Sequence, residues 1–150
     1  MTLVLTDGDR IRNLLGEYCW RIDAGDWAGV GELFADGALA GPDGTAFARG
    51  ADEVAAWYER GTQLHDGSPR TKHVVVDTII GEQADDGTVE VRSSYVVLQG
   101  VGANPPRPII SGRYVDTVVP DGEGGWRFAV RRFHVDLIGD LSAHWAGPTG

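Results

Sequence analysis

The two halves of the chain differ in the spacing of their apolar residues, and the order of these patterns restricts the fold more than any single residue does. In residues 1–61 apolar side chains recur every three or four positions, which is typical of amphipathic helices. From residue 73 onward, long runs of alternating residues are separated by glycine-rich segments, which is typical of antiparallel strands. Helices followed by strands predict an α+β domain, with the N-terminal helices packed on the concave face of one curved, mostly antiparallel sheet.

Local signals set the ends of these elements. The first predicted helix follows Thr6, which with Asp9 resembles a capping box, and it ends at Gly25. Asp26 is placed to cap a short second helix, and a third helix follows Gly50. The four predicted strands cover residues 73–80, 88–98, 109–119 and 126–137. In the first of them, alternation places one set of residues on the inner face: His73, Val75, Asp77 and Ile79.

Composition narrows the class of protein. A chain of 150 residues predicts a single domain, residues 1–150. A net charge of -9 argues against nucleic acid or an anionic membrane as partner, because both need a basic surface. One cysteine excludes an intrachain disulfide, and no Cys/His cluster has zinc spacing, so we expect no metal and no cofactor. Without a signal peptide or a membrane-length apolar run, we expect a soluble cytoplasmic protein.

Asp23 and His73 are the residues with the clearest chemical potential. Asp23 ends the first predicted helix, where the helix dipole disfavours a negative charge by about 0.3–1 kcal/mol. The dipole and partial burial are both expected to raise the pKa of Asp23. A carboxylate that orients the imidazole of His73 is a general acid/base pair that needs no metal. A solvated helix-end carboxylate and a hydrogen-bonded core histidine would have the same sequence pattern.

Further polar residues lie on faces predicted to be buried. Tyr18 is central in the apolar stripe of the first helix, where it is either a core aromatic residue or a donor to a developing oxyanion. In the second long strand, polar residues interrupt an apolar inner face, which is typical of a small-ligand pocket. Strand alternation does not decide the side of Arg113. The residues expected to contact substrate are Trp27, Tyr58, Ser93, Tyr95, Gln99 and Arg113.

Five segments resemble the SnoaL-like branch of the nuclear transport factor 2-like (NTF2-like) superfamily. They are residues 18–27, 33–38, 71–73, 112–114 and 125–128. The resemblance implies a cone-shaped α+β barrel, in which helices close a strongly bent sheet and leave a conical cavity. The bent sheet and its covering helices agree with the architecture predicted from hydrophobic spacing.

Within that superfamily, the chain resembles the group of scytalone dehydratase, bile-acid 7α-dehydratase and hexachlorocyclohexane dehydrochlorinase. These enzymes use an Asp–His dyad, with Asp closing the first helix and His opening the strand after the third. Asp23 and His73 match those two positions. Tyr18 matches a catalytic tyrosine of the bile-acid dehydratase, whereas the dehydrochlorinase has lysine there. The resemblance therefore implies that His73, Asp23 and Tyr18 are catalytic.

The substrate-binding residues of scytalone dehydratase match less well. Its functional serine corresponds to Ser111, which the resemblance adds to the candidate substrate contacts. Its second functional histidine and its asparagine correspond to Gln99 and Arg113, so both differ. The dyad is thus retained without the contacts that recognise scytalone, and a different substrate is expected.

We therefore hypothesise a cofactor-independent lyase or isomerase that acts on a hydrophobic cyclic compound. His73 would remove a proton from carbon, and Tyr18 would donate to the carbonyl or the leaving hydroxyl group. A non-catalytic binding or dimeric assembly module of the same fold stays open, as does a polyketide cyclase or epoxide hydrolase. Apolar Val96 and Leu98 on the outer sheet face predict a homodimer or a higher homo-oligomer. The tail from Leu141 is either loose or a lid.

Overall fold

The computed structural model of the chain describes residues 1–147, which form three helices and six strands. The helices are α1 (Asp7–Asp23), α2 (Trp27–Glu32) and α3 (Gly50–Gly61). The strands are β1 (Ala38–Ala40), β2 (Ala46–Arg49), β3 (Thr71–Ile80), β4 (Val89–Gln99), β5 (Arg107–Pro120) and β6 (Trp126–Ile138). Of the predicted tail, residues 148–150 lie outside the described part.

The predicted helix ends are confirmed. The capping box is present, because Asp9 N–H donates to Thr6 Oγ1 at 3.2 Å and Thr6 N–H donates to Asp9 Oδ2 at 2.9 Å. Asp26 caps α2 by accepting the Gly29 N–H at 2.9 Å. These side chains satisfy amide groups that a helix leaves without partners at its first turn. Gly25 follows α1 with φ of 70°, a conformation that favours glycine.

All six strands form one curved sheet in the order β2-β1-β6-β5-β4-β3. Neighbouring strands are antiparallel except β1 and β6, which are parallel. The predicted α+β class and mostly antiparallel sheet are confirmed, while the short strands β1 and β2 were not predicted as strands. Register shifts in the β3–β4, β4–β5 and β5–β6 pairings bend the sheet. The buried faces of α1, α2 and α3 complete its core.

The predicted inner face of β3 is only partly correct. His73 and Val75 pair with the inward residues Val97 and Tyr95 of β4, as expected. A bulge then begins after Val76, and Asp77 has a φ of 54°. The extra residue reverses the alternation, so Ile79 is 55% exposed instead of facing inward. The inward orientation of His73 is retained because it precedes the bulge.

None of the helices within residues 1–147 is both long enough and apolar enough to cross a membrane. The same residues contain no group of three or more His, Cys, Asp or Glu side chains arranged to hold a metal ion.

Candidate active site

The end of α1 and the start of β3 bring Asp23 and His73 together. Asp23 Oδ1 lies 2.6 Å from His73 Nδ1, and Asp23 Oδ2 accepts the backbone N–H of His73 at 2.9 Å. The Thr71 hydroxyl group donates to Oδ1 at 2.9 Å. The two side chains are only 16% and 9% exposed, respectively. Because Nδ1 faces the carboxylate, Nε2 is the ring nitrogen that remains for a substrate.

The charge state of Asp23 differs from the expectation. Burial raises the pKa of Asp23, but the hydrogen bonds and charge of His73, with the hydrogen bond of Thr71, outweigh it. The net pKa is therefore below its ordinary value, and the predicted increase is wrong. An ionised Asp23 orients the imidazole and stabilises the imidazolium that proton abstraction would create. Asp23 itself is a poor proton acceptor at neutral pH.

Tyr18 lies in the core beside this pair. Its hydroxyl group is 2.5 Å from that of Tyr58, and its ring is edge-on to His73 with centroids 6.4 Å apart. Burial raises the pKa of Tyr18 to about 12, despite the nearby charge of Arg131. Among the described residues, Tyr58 lines the cavity beside His73 and Tyr18 does not. Tyr18 therefore holds the hydroxyl group of Tyr58 in place.

The cavity beside His73 is small in this arrangement. It has a volume of about 30 Å³, enough for one or two water molecules, whereas pockets for drug-sized ligands measure about 300–1,000 Å³. Its wall includes Trp27, Tyr58 and Thr71 on one side and His144 and Trp145 of the C-terminal segment on another. The contact between Asp23 and His73 is the one that the catalytic hypothesis needs, but the cavity is too small for a cyclic substrate.

The C-terminal segment, residues 141–147, covers the cavity. Gln99 donates to Ala143 O at 3.0 Å, and Ala146 N–H donates to Gly61 O at 2.8 Å. The Trp145 ring lies so close to Gly61 that a Cβ atom there would be 2.1 Å from it. The tail from Leu141 was expected to be either loose or a lid, and its described part, residues 141–147, is placed as a lid.

A wider groove of about 390 Å³ lies between α1 and β3, and His73 also borders it. Its wall includes Arg12, Cys19 and Lys72, and the Lys72 ammonium group lies 5.7 Å from the centre of the Trp20 ring. His73 therefore borders both the small cavity and this larger groove.

The predicted substrate contacts on β4 point inward but lie outside the cavity wall. Ser93 and Tyr95 are buried, and Tyr95 stacks on Tyr114 with ring centroids 4.3 Å apart. Gln99 is also buried, and its amide group donates to Pro69 O at 3.1 Å as well as to the C-terminal segment. Gln99 thus anchors the lid. Of the predicted contacts, only Trp27 and Tyr58 line the cavity beside His73 in the described structure.

Ser111 and Arg113 lie on the outer face, so their expected place in the cavity is wrong. Each pairs with an outward-facing residue of β4, Ser111 with Val96 and Arg113 with Ser94. Arg113 forms a two-pronged ion pair with Asp136 at 2.9 Å on the exposed surface. Both follow the regular alternation of β5, in which Gly112 and Tyr114 face inward.

Arg131 is the main residue that the sequence did not identify. Its guanidinium group is fully buried and donates to Asp116 at 2.9 and 2.7 Å. It lies 4.2 Å from the ring centre of Tyr18 and 3.8 Å from that of Tyr114. Burial disfavours its charge, but Asp116 outweighs this effect, so the pKa of Arg131 is above its ordinary value. The signal that could have found it is Asp116, which lies on the same inward face of β5 as Tyr114 and Val118.

A bent sheet with helices in its concave side, and an Asp–His pair beside a covered cavity, define a cone-shaped domain of the NTF2-like superfamily. The chain belongs to the SnoaL-like domain family, whose model matches residues 4–132. The predicted membership is confirmed. No curated protein matches the chain in sequence.

Solved structures of other proteins share this fold. Rv3472, a protein of unknown function from Mycobacterium tuberculosis, is 28% identical, with a TM-score of 0.68 over 86% of this chain and 71% of that one. An NTF2-like protein with a cystatin-like fold from Novosphingobium aromaticivorans is 23% identical, with a TM-score of 0.69 over 91% and 86% of the two chains. A candidate scytalone dehydratase from the same organism is 20% identical, with a TM-score of 0.67 over 94% and 91%.

Proposed function

We propose that this protein is a cofactor-independent lyase or isomerase that dehydrates a hydrophobic cyclic compound or moves its double bond next to a carbonyl group. The observation that carries the proposal is the 2.6 Å contact between Asp23 Oδ1 and His73 Nδ1 at the wall of a covered cavity. Three hydrogen bonds hold the carboxylate, so the imidazole orientation is fixed before substrate binds. The fold shared with a candidate scytalone dehydratase is consistent with this reaction class.

The chemistry needs only these side chains. Nε2 of neutral His73 takes a proton from the carbon next to the carbonyl group, and ionised Asp23 stabilises the resulting imidazolium. The proton then goes to a leaving hydroxyl group, or to another carbon. General acid/base catalysis of this kind contributes about 10²–10⁴-fold in rate.

The cavity wall favours a neutral, apolar substrate. Ile22, Trp27, Pro69 and Trp145 provide apolar surface, while Tyr58 supplies a hydroxyl group. No lysine or arginine of residues 1–147 is part of this wall, so an anionic group would lack a partner there. Because the cavity is far smaller than a ring system, its wall must widen to admit a substrate.

The experiment that tests the function is a turnover assay with cyclic β-hydroxy ketones and β,γ-unsaturated ketones, followed by the ultraviolet absorbance of the conjugated product. His73→Ala is expected to lower kcat by about 10²–10⁴-fold. Asp23→Asn should lower it as well, because the neutral amide no longer stabilises the imidazolium. His134→Ala is the matched control, since His134 pairs with Arg113 on the outer sheet face. Equal turnover by the wild type and His73→Ala would contradict the mechanism.

A binding module without catalysis is the second candidate, and the small cavity volume favours it. Such a protein would bind members of the same ketone panel without changing them. Binding measured by calorimetry, with unchanged ligand recovered afterwards, would support this candidate against the enzyme.

A further inference from the structure

A second histidine lines the same cavity as His73 but comes from the other end of the chain. His144 is carried by the C-terminal segment, and its ring borders the cavity together with Tyr58 and Thr71. Its Nδ1 atom is buried and has no hydrogen-bond partner within residues 1–147. Buried polar atoms nearly always have partners, because an unpaired one costs free energy. A hydrogen-bond partner from outside the chain, such as a bound substrate, would account for this unpaired nitrogen atom.

The backbone around His144 is fixed from several sides. The carbonyl group of His144 accepts the Gln63 N–H at 2.9 Å. The preceding carbonyl group, that of Ala143, lies 3.0 Å from Gln99 Nε2 and 2.7 Å from His65 Nε2. These contacts fix the backbone that carries the imidazole, as a residue that binds a reacting group requires. A segment that only covered the cavity would not need a histidine at this point.

The surroundings of His144 keep its ring neutral. Burial lowers the pKa of His144 to about 4, the positive charge of His73 acts in the same direction, and Asp23 opposes both. The other titratable groups nearby are Tyr58, across the cavity, and His65, against the same segment. Asp23 bonds directly to His73 and not to His144. A neutral imidazole retains one N–H donor, which can polarise a carbonyl group.

We propose that His144 is a second catalytic residue, whose neutral ring donates a hydrogen bond to the substrate's carbonyl oxygen while His73 removes the neighbouring proton. This proposal rests on the proposed function, and it transfers to His144 the donor role that was predicted for Tyr18 from the sequence. The hydroxyl group of Tyr18 is bonded to Tyr58 behind the cavity wall, whereas His144 borders the cavity directly.

The proposed step is balanced in atoms and electrons. The C–H bond breaks, an N–H bond forms at Nε2 of His73, and the electron pair forms an enolate whose charge collects on the oxygen bound by His144. The enolate then expels the β-hydroxyl group, which takes the proton from His73 and leaves as water. A conjugated ketone results, His73 returns to its neutral state, and His144 stays neutral throughout. A donor already in place for the enolate oxygen is worth about 10²–10³-fold in kcat.

Binding of 2-naphthol, whose phenolic oxygen mimics an enolate, tests the hydrogen bond without a known substrate. Calorimetry with the full chain at neutral pH is expected to show about tenfold weaker binding for His144→Leu. His144→Gln retains an amide donor and should bind more tightly than His144→Leu. The matched pair His134→Leu and His134→Gln, on the outer face, should bind like the wild type. Absent wild-type binding, or equal affinity of the wild type and His144→Leu, would overturn the proposal.

Turnover separates this proposal from the function it depends on. If the ketone assay yields a substrate, His144→Leu should lower kcat by about 10²-fold, with a smaller effect on KM and partial recovery in His144→Gln. Loss of turnover in His73→Ala, with full turnover in His144→Leu, would overturn the role of His144 alone. Full turnover in His73→Ala would instead overturn the proposed function. Equal losses in His144→Leu and His144→Gln would reduce His144 to a packing residue.

Discussion

The Arg131 side chain carries a full positive charge although it has no solvent exposure. The guanidinium group is tolerated because Asp116 bonds to it twice, and because three aromatic rings lie within 4.6 Å of its central carbon. One of those rings belongs to Tyr18, whose hydroxyl group holds Tyr58 at the cavity wall. The ion pair is therefore connected to the cavity wall through Tyr18 and Tyr58.

Removing one partner of this pair should be far more damaging than removing both. Arg131→Met leaves the Asp116 charge buried and unpaired, so it is expected to lower the free energy of unfolding by about 3–5 kcal/mol. The double variant Arg131→Met/Asp116→Leu should recover most of that loss, because no isolated charge remains. Urea unfolding of the two single variants and the double variant measures the coupling. Additive losses would show that the two side chains act independently.

The sequence predicted Asp23 and His73 but not Arg131, and the difference has a physical reason. A helix end and a strand start are marked by local signals, and alternation before the bulge gives the direction of His73 correctly. Arg131 and Arg132 are adjacent, so alternation alone cannot say which of them points inward. Arg131 points inward because it pairs with Asp116 of β5. This register lies next to a shift between Thr117 and Val118 in the β5–β6 pairing, which the sequence does not indicate.

The helices α2 and α3 approach each other closely at Gly31. A Cβ atom at this position would lie 2.3 Å from the carbonyl oxygen of Ala51 and 3.2 Å from the Cβ atom of Ala55. The obstacle is backbone, which cannot rotate away as a side chain can. Since α2 is followed by the strand that pairs with β6, this contact fixes α3 and its Tyr58 relative to the sheet.

The same substitution at two glycines should therefore have opposite effects on stability. Gly31→Ala is expected to lower the free energy of unfolding by about 1–3 kcal/mol, because the helices must separate. Gly16→Ala, in the middle of α1 with no atom within 4 Å of the new Cβ, should raise it by about 0.5–1 kcal/mol. Urea unfolding of both variants at one pH provides the comparison. A loss of stability in both would show that the space around Gly31 is not the cause.

At the scale of the element, long periodic segments were predictable and short ones were not. α1 and the four long strands repeat their pattern several times, so their existence follows from the sequence. β1 and β2 have three and four residues, too few to establish a period, and pairing with distant β6 creates them. Residues 141–147 have no period either, and their place is set by contacts with Gln63 and Gln99.

The whole molecule is needed to assemble the candidate site, since Asp23 comes from the first helix, His73 from an edge strand and His144 from the C-terminal segment. The pKa values of Asp23 and of His144 are both lower in the folded chain than in the unfolded chain. Folding is consequently coupled to proton binding, and stability should depend on pH through these two residues.

We expect stability to fall in two separate pH windows. The folded pKa of His144 is about 4 against an ordinary 6.5, so the unfolded chain binds more protons between these values. Stability should fall by at most about 3 kcal/mol across that window as the pH decreases. For Asp23, burial raises the pKa, but the hydrogen bonds and charge of His73, with the Thr71 bond, lower it overall. Its contribution is therefore complete above the ordinary aspartate pKa and is lost as the pH falls through the lower folded value.

Two variants should separate these windows in urea unfolding measured from neutral to strongly acidic pH. His144→Gln cannot take up a proton, so it should flatten the curve in the upper window and leave the lower one unchanged. Asp23→Asn should flatten the lower window, because the amide keeps no charge that protonation can remove. Asp85→Asn, in an exposed turn, is the control and should follow the wild-type curve. A titratable group makes stability depend on pH only if its pKa differs between the folded and the unfolded chain. If His144→Gln also follows the wild-type curve, the pKa of His144 is not shifted by folding, and His144 is not a buried neutral group at the cavity.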